Sequence, residues 1–231
     1  MGSTMHKLGA GAVVALVASM IWVIASAEVV VAQDAANAAA EPAPADLSRG
    51  EELFDLCTYC HGPQGLGNAE LGAPAIAGMP EWYLTAQLRN FRSGLRGLHP
   101  DDLEGMRMRP MSLTLVRPGD LESVAAYTAS LPRRKPEPIV TGGNAAAGAG
   151  LYAVCQSCHG PDGQGNQGLN APPLTHSGDW YLVAQLKKYQ DGVRGSDPRD
   201  TNGTTMRSMV AVLRTEQIVK DVVAHIMTLS E

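Results

Sequence analysis

The stretch that decides the reading is CTYCHG, residues 57–62, which recurs as CQSCHG at residues 155–160. These two frames hold all four cysteines of the 231-residue chain. A shift of 98 positions lays one frame on the other and carries much of the surroundings with it. His159 falls on His61, Trp180 on Trp82, Tyr181 on Tyr83, Gln185 on Gln87 and Arg194 on Arg96. Met206 falls on Met108, Met209 on Met111 and Leu213 on Leu115, with no insertion from Cys57 to Leu131. A fixed period of this kind marks an internal duplication. A residue present in both halves is therefore a better candidate for shared chemistry than one present once.

Each half carries three helical patterns. The first runs into the cysteines, LSRGEELFDLCTYCH and NAAAGAGLYAVCQSCH, with Asp46 and Asn144 as candidate caps. The second places Leu84, Leu88 and Phe91, or Leu182, Leu186 and Tyr189, at helical spacing before a glycine stop. The third is PGDLESVAAYTASL in one half and RTEQIVKDVVAHIMTL in the other. Gly/Pro/Asn-rich segments read as loops between them, and no alternating strand pattern occurs. The expected class is all-α: two tandem domains, residues 46–131 and 144–231, preceded by a hydrophobic N-terminal helix. Residues 132–143 read as a Pro/Gly-rich linker and residues 33–45, rich in Ala and Pro, as a tether.

Residues 1–32 are expected to export the chain. His6 and Lys7 precede an uncharged run from Leu8 to Ala27, followed by the small-residue frames Ala25-Ser26-Ala27 and Val30-Val31-Ala32. This reads either as a cleaved signal peptide or as an uncleaved membrane anchor. Both place the remainder on the periplasmic side of the cytoplasmic membrane, and only an anchor keeps it at the membrane. The net charge of −5 and the lack of a basic run exclude nucleic acid as a partner class.

In an exported chain disulfides are allowed, but a bridge across one helical turn is poorly placed and has no use for the following histidine. A thioredoxin-like pair needs a strand–helix context that is missing. Zinc would require two pairs 98 residues apart to share one ion. The frame C-x-x-C-H is also the attachment signature of a c-type haem. Two thiols one turn apart reach two vinyl groups of one porphyrin, and the adjacent histidine supplies a nitrogen to the iron. This uses Cys57, Cys60 and His61 in one half and Cys155, Cys158 and His159 in the other. It also answers a packing problem, because two Phe, six Tyr and three Trp are few for two small cores.

The sixth ligand decides whether a haem carries electrons or binds a small molecule. His99, His176 and His225 face Asp197, Gly78 and Tyr127 in the other half, so none is shared. Two methionine pairs are shared, Met108/Met206 and Met111/Met209, and spacing alone leaves both open.

The motifs CTYCHGPQGLGN, EWYLTAQLRNFRSGLRG and MRPMSLTL resemble class I cytochromes c. Their tandem arrangement is similar to the dihaem cytochrome c-four group and to cytochrome domains of terminal oxidases. The resemblance spans roughly residues 46–231. It implies an axial methionine seven residues before a leucine, which points to Met108 and Met206, with Met111 and Met209 as the alternatives. It also implies that a proline carbonyl, Pro74 or Pro172, accepts the Nδ1 proton of the axial histidine. Trp82/Trp180, Tyr83/Tyr181 and Arg96/Arg194 become candidates for contacts to the haem edge or its propionates.

The implied function is a dihaem c-type cytochrome that passes single electrons, with no catalytic residue of its own. Its expected partners are redox proteins, such as a quinol-oxidising complex as donor and a terminal oxidase as acceptor. Two alternatives keep the haems: a fixed subunit of a larger respiratory complex, or a dihaem peroxidase with one open iron position. The first domain carries seven Lys/Arg against eleven Asp/Glu, and the second seven against eight. The more acidic first domain is expected to meet the more basic partner.

Overall fold

The computed structural model describes Gly2 and residues 44–229. The signal or anchor over residues 1–32, its hydrophobic helix and residues 33–43 of the tether lie outside the described residues. Among those described, no helix is long and apolar enough to cross a membrane.

Among the described residues, eight α-helices form two matching sets of four. The first set is α1 (Leu47–His61), α2 (Glu81–Ser93), α3 (Leu103–Leu113) and α4 (Asp120–Ser130). The second is α5 (Ala145–His159), α6 (Asp179–Gln190), α7 (Thr201–Val210) and α8 (Glu216–Ile226). Extended pairing among the described residues is limited to two isolated bridges, Asn68 with Ala73 and Asn166 with Ala171.

The repeat is visible in the caps. The Asp46 carboxylate accepts from the backbone N–H of Ser48 and Arg49, and the Asn144 amide oxygen from Ala146 and Ala147. Such caps satisfy N–H groups that a helix start leaves without intrahelical partners. Each domain then crosses its first helix over its last. Gly50 lies against the Ser123 carbonyl and Gly148 against the Asp221 carbonyl, approaches that leave no room for a side chain. Phe54, Leu115, Leu121 and Val124 fill the first core; Tyr152, Leu213, Val219, Val222 and Val223 fill the second.

The segments holding the methionines are helical, where the sequence pattern suggested loops. The reason is local. Asp102 and Asp200 are buried at the starts of α3 and α7, and each accepts from a glycine N–H three residues on. Gly97 and Gly195, at φ +79° and +72°, pack against the carbonyls of Gly105 and Gly203. These glycines serve close approach of backbones. Pro110 sits within α3 and removes one helical hydrogen bond.

The linker is tied down. Arg133 Nε donates to the Gly78 carbonyl at 2.6 Å, and Lys135 Nζ donates to the Leu229 carbonyl at 2.8 Å. The Ile139 and Val140 amides both donate to the Asp179 carboxylate. The two domains also touch directly. Lys188 Nζ on α6 lies 2.6 Å from Asp102 and 2.5 Å from Glu104 of the first domain.

Candidate haem sites

The cysteine frames end α1 and α5, and their histidines are the last helical residues. The chain then turns back beneath each ring. Gly67 N–H donates to the His61 carbonyl and Gly165 N–H to the His159 carbonyl, both at 2.8 Å. Gly67 sits at φ +86° and Gly165 at +81°, and a Cβ at either would strike the following Ala–Pro backbone. This loop carries Pro74 and Pro172 under the imidazoles. The Pro74 carbonyl lies 2.7 Å from His61 Nδ1 and the Pro172 carbonyl 2.8 Å from His159 Nδ1. A carbonyl only accepts, so Nδ1 holds the proton and Nε2 is left with its lone pair. Burial lowers both histidine pKa values, against the opposing pull of the proline carbonyls. Both rings are therefore neutral at neutral pH, the form that binds a metal.

The thiols of Cys57 and Cys155 are not activated. Burial, helped by the neighbouring Cys60, pushes Cys57 up to about 11, and burial with Cys158 raises Cys155. Reactive or zinc-binding cysteines have depressed values. Among the described residues, no three His, Cys, Asp or Glu side chains converge on a point that could hold a metal ion.

His159 opens onto a cavity of about 220 Å³. Pro172, Leu174, Leu182, Tyr189 and Met206 line it from the second domain, and Met79, Trp82 and Tyr83 from the first. Met206 packs on the same core as Cys155. Met209 is 37% exposed and lies outside the cavity lining. In the first domain Met108 and Met111 are both half-buried. His99, His176 and His225 make other contacts. His99 Nδ1 accepts from the Asp101 N–H at 3.2 Å, His176 bonds Arg133, and His225 packs on the Tyr152 ring at 5.3 Å.

Two buried guanidinium groups complete the arrangement. Arg96 stacks over Phe91 at 4.2 Å and Arg194 over Tyr189 at 4.5 Å. Arg96 donates to Gln87 at 2.7 Å, and Arg194 to Gln185 at 2.6 Å and Gln87 at 3.3 Å. The Nε of each is buried without a partner, and Arg194 lines the cavity. An orphaned guanidinium N–H beside an apolar cavity fits an anionic substituent on a flat apolar body, which is what a porphyrin with its carboxylates presents. Tyr83 and Tyr181 share the arginine pair. Burial pushes the Tyr83 hydroxyl up, whereas at Tyr181 the arginines outweigh burial and lower it.

Gln87 and Gln185 carry no assigned role in the sequence reading, although the repeat marks both. Lys188 stands opposite Asn90 in the other half, so a filter for shared residues discards it.

The cytochrome c family model matches residues 47–132 and again 145–230. A thiosulfate dehydrogenase electron acceptor of Thiomonas intermedia is 37% identical over 68% of this chain and 72% of its own length. Cytochrome c4 of Azotobacter vinelandii is 29% identical over 76% of this chain and 86% of its own. The crystal structure of reduced cytochrome c4 from Pseudomonas stutzeri superposes with a TM-score of 0.65 at 27% identity, over 81% of this chain and all of that one. Each of the two matched units holds one C-x-x-C-H frame and carries one covalently bound haem c.

Proposed function

We propose, from the premise that this chain belongs to the cytochrome c family and is a dihaem electron-transfer cytochrome, that it takes single electrons from a thiosulfate-oxidising dehydrogenase and passes them to a terminal oxidase on the periplasmic face. The observation that carries the electron-carrier reading is the meeting of His159, Pro172 and Met206 around one cavity that the first domain helps to close. The likeness to a thiosulfate dehydrogenase electron acceptor supports the donor.

When bound, haem c supplies a one-electron Fe(III)/Fe(II) couple. The chain's own residues do the rest. Cys57 with Cys60, and Cys155 with Cys158, hold each group covalently. The proline carbonyls fix the histidine rings, so that Nε2 of His61 and of His159 is the donor atom. Met108 and Met206 would supply the thioether ligand, a soft sulfur that would favour the reduced ion. Leu174, Leu182 and Tyr189, with Trp82 and Tyr83 from the other domain, keep water from the second site. With His and Met both bound, no position would be left for peroxide, which separates this reading from a dihaem peroxidase.

Stopped-flow mixing with purified thiosulfate dehydrogenase and thiosulfate tests the donor. Reduction of both haems within the dead time of steady-state assays is expected. Failure of that enzyme to reduce the protein, with rapid reduction by a quinol-oxidising complex, would replace the donor. A high-spin ferric spectrum with peroxide turnover would replace the carrier by an enzyme.

A further inference from the structure

The duplication supplies an internal control for surface residues, because α3 and α7 have the same place and the same cap in the two domains. What such a helix needs in order to fold must be present in both. On α3, Leu103, Met106, Pro110 and Leu113 recur at intervals of three and four, which puts them on one face of the helix. All four are exposed, Leu103 to 61%, Met106 to 39% and Leu113 to 41%. The corresponding positions on and just after α7 are Thr201, Thr204, Ser208 and Ala211, also exposed. The fold accepts small polar side chains there, so the apolar stripe on α3 is not required by folding. Scattered exposed apolar residues are ordinary; a periodic stripe that a structural duplicate lacks marks contact with another molecule.

The stripe is flanked by charge. At about 100° per residue, Arg107 falls on one side of it and Arg109 on the other. On α7 the same places hold Thr205 and Arg207, so the second flank is shared and the first is not. Leu98, exposed to 61%, borders the stripe beside Arg109, since both flank Gly94. Met108 lies roughly opposite the stripe on the helix. The surface therefore covers the outer side of the helix that carries the first domain's candidate ligand. Two arginines beside an apolar strip are complementary to an apolar patch bordered by carboxylates. They also argue against a second copy of this chain, which would set arginine against arginine. A single helix face suits the small, short-lived contacts of redox encounters.

We propose that the α3 face is the docking surface for an electron-exchanging protein whose own face pairs an apolar centre with carboxylates, so that the first domain is where electrons enter or leave. This rests on the electron-carrier reading, and it departs from the net charge of the domain, which is acidic. Arg107, which lies 3.9 Å from Glu104, and the half-buried Arg109 leave the rim beside the stripe net basic, and it is the rim that meets the partner.

The test uses the full dihaem chain and two probes, purified thiosulfate dehydrogenase with thiosulfate and membranes bearing a terminal oxidase. One variant carries the duplicate's residues, Leu103→Thr, Met106→Thr, Pro110→Ser and Leu113→Ala. A second is Arg107→Glu. For at least one probe, the first variant is expected to lower the second-order rate constant about 10-fold or more at low salt, and Arg107→Glu to lower it several-fold. The ferric spectrum and the reduction potentials should stay as in the wild type, which separates docking from damage to the nearby haem site. Rates within two-fold of wild type with both probes overturn the proposal. Faster exchange by Arg107→Glu overturns the acidic partner. A wild-type dimer in sedimentation that the first variant dissolves would assign the face to a second copy. If neither probe exchanges electrons with the wild type, the donor and acceptor reading falls together with the docking surface. If the wild type reacts and the variants react equally, only the docking surface falls.

Discussion

At the scale of single residues, the two halves of one site differ in how far the sequence reaches. The cysteines and histidines are legible because their chemistry requires a fixed local frame, and no fold is needed to see it. The proposed methionine ligand is not, because the histidine it would complement lies 47 residues away and two shared methionines stand three apart. The structure separates the second pair by surroundings: Met206 lines the cavity with His159, while Met209 is turned toward solvent. Replacing Met206 by Ala should therefore remove about half of the weak red absorption band that iron–sulfur ligation gives the ferric protein, leaving the first haem's share. Met209→Ala should leave the whole band. Loss of the band in Met209→Ala alone would reverse the assignment, and by the duplication it would move the first domain's ligand from Met108 to Met111. The prolines show the opposite case. Their carbonyls meet the histidine rings across 13 residues, a distance bridged by a glycine-dependent turn that only the folded loop reveals.

At the scale of helices, three in each domain are legible from apolar spacing and caps, and the fourth is not. The segment around Met206 is poor in apolar periodicity, the one around Met108 turns its periodic apolar residues to solvent, and both contain glycine or proline, as a loop would. Their helicity comes from buried Asp102 and Asp200 and from backbone contacts with Gly97 and Gly195, none of which is a periodic signal. The crossing of the first and last helix is likewise hidden in two glycines. Gly50 and Gly148 look like weak points inside helices, since glycine there costs up to about 1 kcal/mol relative to alanine. In the fold they are where two backbones meet. A methyl group at Gly148 would overlap the Asp221 carbonyl and press on the His225 side chain, and one at Gly50 would overlap the Ser123 carbonyl. Gly148→Ala should therefore destabilise the second domain by about 1–3 kcal/mol despite its better helix propensity. Chemical denaturation followed by far-ultraviolet circular dichroism checks this. A stabilised variant would show that the crossing has slack. Alanine at Gly150, in the same helix with nothing near its missing side chain, should be neutral or stabilising.

At the scale of the whole molecule, the duplication is broken where the domains meet. Lys188 bonds Asp102 and Glu104 across the interface, while its counterpart Asn90 offers Asp200 no charge. One ion-pair cluster therefore serves an interface that a perfect repeat would have given two. Asp102 is buried, and removing Lys188 would leave its carboxylate with the Gly97 and Gly105 amides and the Arg96 charge but without its ion-pair partner in low dielectric. Lys188→Asn, which copies the other half, should cost about 3 kcal/mol at pH 7, read from the denaturation midpoint of the full chain. The dependence on pH follows from the direction of the shift. Burial raises the Asp102 pKa, but the hydrogen bond and charge of Lys188 outweigh it, and the folded value lies below the ordinary 3.8. A carboxylate with a depressed folded value stabilises the fold fully above its ordinary value and loses that contribution as pH falls through the folded one. In Lys188→Asn burial is left to raise the Asp102 value, so the variant sheds its penalty by taking up a proton as pH falls through that raised value, and the difference from wild type should be largest at the alkaline end and shrink on acidification. A difference that stays constant down to about pH 3 would mean that the ionisation of Asp102 does not govern the contact between the domains. No change at any pH would mean that the domains are held by the linker contacts of Arg133 and Lys135 and by the Arg194–Gln87 bond alone.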